Sequence, residues 1–225
     1  MILAVETATP VCSVAIETGA RRIFEKRIEG KGVHSEYTFT YIRELLERAN
    51  IDVTELEAVL FSKGPGSYTG LRIGAAAIQG LLFKRDVPFY SFPTLLSFAA
   101  GILRNQKKGT IHSVIDARRE HLYRQKIEIE SSGKFSTTTA EIEEISAIEK
   151  DIRPGDHLVG TGWERLNIND PGKVSFSGSE AISAKNLIEA WRREFMKNYF
   201  KKEKIEQFEP DYLTMAQVNN SPISG

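Results

Sequence analysis

Lys63-Gly64-Pro65-Gly66-Ser67-Tyr68-Thr69-Gly70-Leu71-Arg72-Ile73-Gly74 is the stretch on which the reading of this chain turns. It follows Ala58 to Ser62 (Ala-Val-Leu-Phe-Ser), an apolar run without alternation, as expected of a strand covered on both faces. Glycines between such a strand and a helix let backbone N–H groups converge on an anion at the helix N-terminus. Two phosphate-binding templates nevertheless fail by one residue. A Walker A loop needs Lys after its last glycine, where Leu71 stands, and the dinucleotide pattern counted from Gly64 and Gly66 needs glycine where Thr69 stands. The other reading is a tight strand-to-helix turn. Gly66, Gly70 and Gly74 recur every fourth residue, so one helix face is open to a close neighbour. From Thr69 to about Lys84 that helix is apolar nearly all round (Ala75, Ala76, Ala77, Ile78, Leu81, Leu82, Phe83) and should be buried on more than one side.

Working outward, Ile2 to Glu6, Cys12 to Glu17 and Arg21 to Glu29 read as three antiparallel strands, the first two joined by Thr7-Ala8-Thr9-Pro10. Ser35 is placed to cap a helix whose Ile42, Leu45, Leu46 and Ala49 recur at helical spacing. Phe89 to Ser91 is a short strand, and Pro93 opens a helix to about Leu103. Beyond the polar connector Asn105 to Gly109 the pattern starts again. Strands are expected over Thr110 to Asp116, Leu122 to Glu130, Phe135 to Thr139 and His157 to Gly160, with a helix over Glu141 to Glu149. A further helix, capped by Ser183, carries Leu187, Ile188, Trp191 and Phe195 on one face, and Lys197 to Lys204 reads as basic and exposed.

The expected fold class is therefore α/β, an actin-like (ribonuclease H-like) arrangement of two tandem related subdomains with mixed sheets. Residues 1–104 form an N-terminal subdomain with partner-binding helices and 105–205 a C-terminal one. Residues 206–225 form a tail that returns to the first subdomain, its last part, from Asn219, loose.

Composition narrows the chemistry. In 225 residues Lys+Arg and Asp+Glu both total 30, so no net field draws the chain to nucleic acid or membrane, and any contact with nucleic acid needs a local patch or a partner. Cys12 is the single cysteine, which excludes an internal disulfide and suits a reducing cytosol; no leader or membrane-spanning run is apparent. His34, His112, His121 and His157 are scattered without metal-ligand spacing, and Ser67 lies outside a Gly-x-Ser-x-Gly elbow, so neither a metal nor a catalytic residue is assigned. Glu6 and Asp116 each end the first strand of a half. In a duplicated fold they would face one another across a cleft and could hold Mg²⁺ and a nucleotide; alternatively, Glu6 caps the Thr7 to Pro10 turn.

Four segments resemble the TsaB (YeaZ) family of tRNA threonylcarbamoyladenosine biosynthesis proteins. They are Ile2 to Thr9 with Cys12 to Ala15; His34-Ser-Glu36; Lys63 to Gly74; and Asp116-Ala-Arg-Arg119 followed by Tyr123. Gly160 to Trp163 and Pro210 to Leu213 add to them. The resemblance implies an actin-like ATPase fold, a cytoplasmic location and a scaffolding role beside the catalytic paralogue TsaD and the ATPase TsaE, with a homodimer when alone. TsaD transfers threonylcarbamoyl to N6 of adenosine 37 in tRNA. Its metal site uses His-x-x-x-His in the helix after a Val-Pro strand, whereas Ser91 to Phe98, after Val87-Pro88, holds no histidine. A non-catalytic subunit is expected. The family usually carries Asp where Glu6 stands, and the paralogue carries Glu.

On this reading no cofactor is required, with ATP or ADP and Mg²⁺ possible at a complex interface. Nucleotide-binding candidates are Glu6, Thr7, Thr9, Gly64, Gly66 and Asp116. Partner-interface candidates on the two helices are His34, Tyr41, Leu45, Tyr68, Leu71, Gly74 and Ile78. An autonomous nucleotide-binding ATPase and a glycoprotease-like metallopeptidase are the alternatives.

Overall fold

The computed structural model describes residues 1–103, 108–130 and 135–213. Most of the connector from Asn105 and the tail from Asn219 lie outside the described residues. The chain begins with β1 (Ile2–Glu6), β2 (Val11–Glu17), β3 (Ile23–Glu29), α1 (Val33–Ala49), β4 (Ala58–Ser62), α2 (Tyr68–Leu82), β5 (Phe89–Phe92) and α3 (Thr94–Ile102). A second run follows: β6 (Gly109–Asp116), β7 (His121–Ile129), β8 (Phe135–Thr137), β9 (Glu141–Glu144), α4 (Ile145–Asp151), β10 (His157–Gly160), β11 (Ser175–Ser177), α5 (Lys185–Arg192) and β12 (Lys201–Glu203).

The first sheet has the order β12-β5-β4-β1-β2-β3 and the second β11-β10-β6-β7-β8, with β9 also on β7. In each, the opening strand pairs antiparallel with the next strand and parallel with the strand after the crossover: β1 with β2 and β4, β6 with β7 and β10. Repetition of this order is what marks the two halves as related.

β1 can be apolar throughout because it lies between two cores. Leu3 and Val5 join Ile42, Leu45, Leu71 and Ile78 of α1 and α2 on one face. Ile2 and Ala4 join Leu95, Leu96, Ala99, Leu187 and Ile188 of α3 and α5 on the other. α3 has Thr94 to Ala100 all buried, because it packs against β6, β7 and β10 of the second sheet as well as α5.

Several local expectations are corrected by contacts distant in sequence. Gly32, in the left-handed region at φ 74°, precedes α1, and Ser35 lies inside the first turn with its hydroxyl donating to Gly32 O at 3.0 Å. The expected Glu141 to Glu149 helix divides into β9, paired with β7, and α4. Glu143 is drawn there by Arg124, whose Nη1 donates to it at 2.9 Å. Lys201 and Lys202 are exposed as expected of that basic stretch, but Lys201–Glu203 also adds an edge strand to β5, where Ser91 donates to Glu203 at 2.8 Å. α5 stops at Arg192, leaving Phe195 46% exposed and tilted against the Phe135 ring.

Behind the second sheet lies a buried polar network. His112 Nε2 donates to Asp156 at 2.9 Å while its Nδ1 accepts from Arg124, so the ring is held neutral. Burial, opposed by Asp156, holds the His112 pKa below its ordinary value. A depressed folded pKa gives stability that is present above the unfolded value and lost as pH falls. His112 therefore subtracts stability between pH 7 and pH 5, and the thermal midpoint of His112→Gln, measured against the native chain, is expected to gain relative to it as pH falls through that window.

Candidate functional site

A cleft of ≈ 780 Å³ opens where the C-terminal ends of β1 and β6 approach each other. One wall is the β1–β2 turn (Ala8, Thr9, Pro10), the Gly30 to Gly32 bend and the start of α2 (Gly66 to Gly70). The other is Ile115 to Arg118 with Thr161, Gly162, Glu164 and Arg165. Between strand ends of an α/β fold is where ligands commonly sit.

The glycine loop is built by close approach. A Cβ on Gly66 would meet Ala8 O at 2.3 Å, one on Gly70 Thr7 O at 2.2 Å, and one on Gly74 the Thr7 hydroxyl at 2.4 Å and Phe61 at 2.7 Å. Gly64 combines φ +122° with Asp211 O at 2.2 Å from its absent Cβ. The segment that crowds it is the C-terminal one. Asp211 N donates to Lys63 O at 2.7 Å, Phe208 sits edge-on between Phe61 and Phe89, and the Tyr212 ring packs tilted against Tyr68 at 4.7 Å. Ser67 caps α2 by accepting from Gly70 N at 3.2 Å.

Of the nucleotide candidates, Thr9, Gly66 and Asp116 line the cleft, while Glu6, Thr7 and Gly64 do not. Glu6 is fully buried beneath the turn. It accepts from Ala8 N at 2.7 Å and from the Ser62 hydroxyl, as in the capping alternative, and burial pushes its pKa up to about 7 against those hydrogen bonds. Thr7 is buried with its hydroxyl unpartnered among the described residues. Asp116 stands exposed on the rim, paired with Arg165 and accepting from Arg118 N at 2.8 Å. The two carboxylates thus do not face each other across the cleft, because Glu6 turns into the core and only Asp116 meets solvent. Among the described residues no group of three or more His, Cys, Asp or Glu side chains is placed to hold a metal.

The helix-face candidates separate in the same way. Leu45, Leu71 and Ile78 are 0% exposed, Gly74 and His34 are buried, and His34 Nε2 lies 3.3 Å from Val11 O. Leu45, Leu71, Gly74 and Ile78 belong to the chain's own core, since the first sheet covers that face, whereas His34 lines the cleft beside the Gly30 to Gly32 bend. Tyr41 is half-buried and Tyr68 is 56% exposed. Periodicity located the apolar stripe, but a stripe that is buried by the sheet is not the surface. The outward side of α1 and α2 carries Phe39 (53% exposed), Arg43, Ala76 and Gly80, with Phe83 (66% exposed) just beyond. The all-round apolarity of the second helix was the sequence signal for that outer face. Sequence reading also passed over Lys31, Glu164 and Arg165 of the cleft; Arg118, which lines it, and Arg119 beside it have positive φ, 70° and 50°.

Two mixed sheets of repeated topology around an inter-subdomain cleft define a protein of the actin-like, ribonuclease H-like class. The family model described as "TsaD: tRNA N6-adenosine threonylcarbamoyltransferase" matches residues 30–221. The chain is 26% identical to TsaB of Haemophilus influenzae over 207 residues (88% of this chain, 87% of the relative). It is 28% identical to TsaB of Escherichia coli over 167 residues (72% of each). The solved structure of YeaZ from Pseudomonas aeruginosa superposes with a TM-score of 0.75 at 26% identity, covering 94% of this chain and 99% of that one. The chain belongs to this threonylcarbamoyltransferase family, in its TsaB (YeaZ) branch.

Proposed function

We propose that this chain is a non-catalytic partner and activator in the synthesis of N6-threonylcarbamoyladenosine on tRNA, scaffolding a TsaD-type catalytic paralogue together with the ATPase TsaE in the cytoplasm. The observation that carries the reading is the outward face of α1 and α2. Of four large hydrophobic side chains exposed among the described residues, Phe39, Tyr68 and Phe83 lie on or at the end of these two helices. A groove of ≈ 750 Å³ runs between the helices, lined by Phe39, Arg43, Leu46, Gly80 and Arg85. Phe39 beside Gly80 in this groove, with Phe83 exposed just past the end of α2, is the kind of aromatic surface that a protein partner covers. The names of the relatives support the pathway, and the histidine-free Ser91 to Phe98 segment supports a role without metal chemistry.

The same face serves a second copy of this chain when the paralogue is absent, and tRNA is met through the partner. No cofactor is needed for scaffolding. The cleft residues suit a nucleotide in part: the N-terminal turn of α2 with Lys31 and Arg118 could meet phosphate oxygens, whereas Asp116, already tied to Arg165, is a weak Mg²⁺ ligand by itself. ATP or ADP with Mg²⁺ would then bind when the partner completes the site.

Phe39→Glu with Phe83→Glu is expected to weaken co-purification with the paralogue at least ~10-fold, as loss of buried aromatic anchors does, and to lower tRNA modification in a reconstituted assay. The melting curve of the isolated variant should not change. Unaltered association sinks the assigned face. Tight Mg-ATP binding and turnover by the isolated chain, read by calorimetry, would favour the autonomous ATPase instead.

A further inference from the structure

Lys197 to Lys204, the basic stretch that the partner face leaves unused, belongs to a strip of cations along the edge of the first sheet opposite the cleft. Arg21 and Arg22 lie in the β2–β3 turn, Arg192 and Arg193 end α5, and Lys202 and Lys204 lie in and just past β12. We propose that this strip binds the phosphodiester backbone of RNA through its charge, without reading bases. The choice of RNA rests on the tRNA reading above and goes beyond contact through the partner: the RNA that the paralogue presents also lies directly on this chain.

Specific contacts join the six. Glu17 is the partner of Ile23 across β2 and β3 and of Ile2 across β1 and β2, so the turn after Glu17 sits at the start of β1. Arg192 reaches that end and pairs with Glu17. The ring of Trp191, the residue before it, lies 4.7 Å from Tyr90, and Tyr90 stands opposite Lys202 in the β5–β12 register. Directly opposed residues share a face, and Lys204, two residues on, keeps to it. The strip thus crosses the sheet from β3 to β12 on the side that α5 covers, and the five spacings between six strands, at ~4.8 Å each, make it about 24 Å wide. Each strand of a nucleic acid carries one charge per ~3.4 Å of axis, so several phosphates fall within that width.

Charge selects the partner. Arg21, Arg22, Arg192, Lys202 and Lys204 are exposed and Arg193 is half-buried. Arg192 is held by the carboxylates of Glu17 and Glu189; the other five have no carboxylate partner among the described residues, and the residues outside these include no Asp or Glu. Nearby, Glu194 is taken by Lys197, and Glu203 by Lys201 and Ser91. A chain of zero net charge thus gathers unpaired cations on one edge, the local patch that nucleic-acid contact needs. A lipid surface asks for apolar side chains to insert, and of the four large hydrophobics exposed among the described residues only Phe195 belongs to this stretch. None of the six lines the cleft or the groove between α1 and α2, so the charge comes without a shaped pocket, as suits a repeating polyanion.

The test titrates the full chain against a fluorescently labelled tRNA transcript and reads anisotropy. With about four phosphate contacts, affinity is expected to fall about 50-fold or more between about 50 and about 200 mM salt. Arg21→Gln with Arg22→Gln, and separately Lys202→Gln with Lys204→Gln, should each weaken binding about tenfold and flatten the salt dependence, with unchanged melting curves. Lys150→Gln with Lys173→Gln removes the same charge from exposed positions of the second subdomain and should leave binding intact. No binding at about 50 mM salt, strip variants that bind like the native chain, or an equal loss in the control overturns the proposal. So does strip-dependent binding to phosphatidylserine vesicles without binding to tRNA, or loss of paralogue co-purification from the strip variants, which makes the strip a protein surface. RNA binding is read on the isolated chain and paralogue association on Phe39→Glu with Phe83→Glu, so either reading can fail without the other.

Discussion

Gly74→Leu is expected to unfold the chain rather than merely to separate it from a partner. A small-residue stripe on a helix invites the opposite expectation, that bulk at Gly74 abolishes association and spares the fold. The structure reverses it, because Gly74 faces β1 and β4. Its absent Cβ would lie 2.4 Å from the Thr7 hydroxyl and 2.7 Å from the Phe61 ring. Phe61 is 0% exposed and held edge-on by Phe208, so the ring has nowhere to go. Overpacking a tight core commonly costs about 1–3 kcal/mol. With two contacts below van der Waals distance before the rest of the leucine is placed, a loss of about 3 kcal/mol or more is expected, a large share of the 5–15 kcal/mol that holds an ordinary domain together. Urea unfolding followed by circular dichroism reads the effect. Gly80→Leu is the control: nothing lies within 4 Å of its Cβ, and it stands on the outer face of α2. That variant should keep or raise stability, since glycine in a helix interior costs roughly 1 kcal/mol, while disturbing association. A stable Gly74→Leu chain with lost association would show that α2 is turned the other way.

Glu6→Gln is expected to remove a pH dependence of stability centred between 4.5 and 7. Burial raises the folded pKa of Glu6 from its ordinary 4.5 to about 7, with the Ser62 hydroxyl and Ala8 N–H opposing. A raised folded pKa means that the protonated form is the one folding favours. The contribution is fully present below pH 4.5 and is lost as pH rises through 7. At about 1.36 kcal/mol per pH unit, that interval corresponds to about 3 kcal/mol. Glutamine retains an oxygen for Ala8 N–H, and Ser62 can reverse its hydroxyl to accept from the new amide. The variant should match the native chain at pH 4.5 and exceed it by about 3 kcal/mol at pH 8. The His112 network acts on the acid side in both proteins, so their difference isolates Glu6. Equal stability at pH 8 would mean that the hydrogen bonds, rather than burial, govern the carboxyl.

The two experiments bear on one place. Thr7 and Ala8 link Glu6 to the glycine loop: Ser67 N donates to Ala8 O at 2.7 Å, and Gly66, Gly70 and Gly74 all abut these two residues. Glu6 thus adjoins the turn that forms one cleft wall without itself lining the cleft.

What the sequence determined by itself was local or carried by specific strings. Uninterrupted apolar runs marked β1 and β4, helical spacing marked α1 and α2, and Lys63 to Gly74 with Asp116 to Arg119 pointed to the family that the comparisons show. These signals survive in one dimension because they depend on neighbours a few residues apart. The tertiary structure alone decided which side of each stripe meets water. It put Leu45, Leu71, Gly74 and Ile78 inside and Phe39 and Phe83 outside, turned Glu6 into the core, and recruited β9 and β12 to strands more than a dozen residues away. An apolar helix face, a glycine or a carboxylate reads the same in sequence whether its neighbour is solvent, a partner or the chain's own sheet. Only the packing of segments distant in sequence, such as Phe208 on Phe61 and Asp211 on Gly64, distinguishes them.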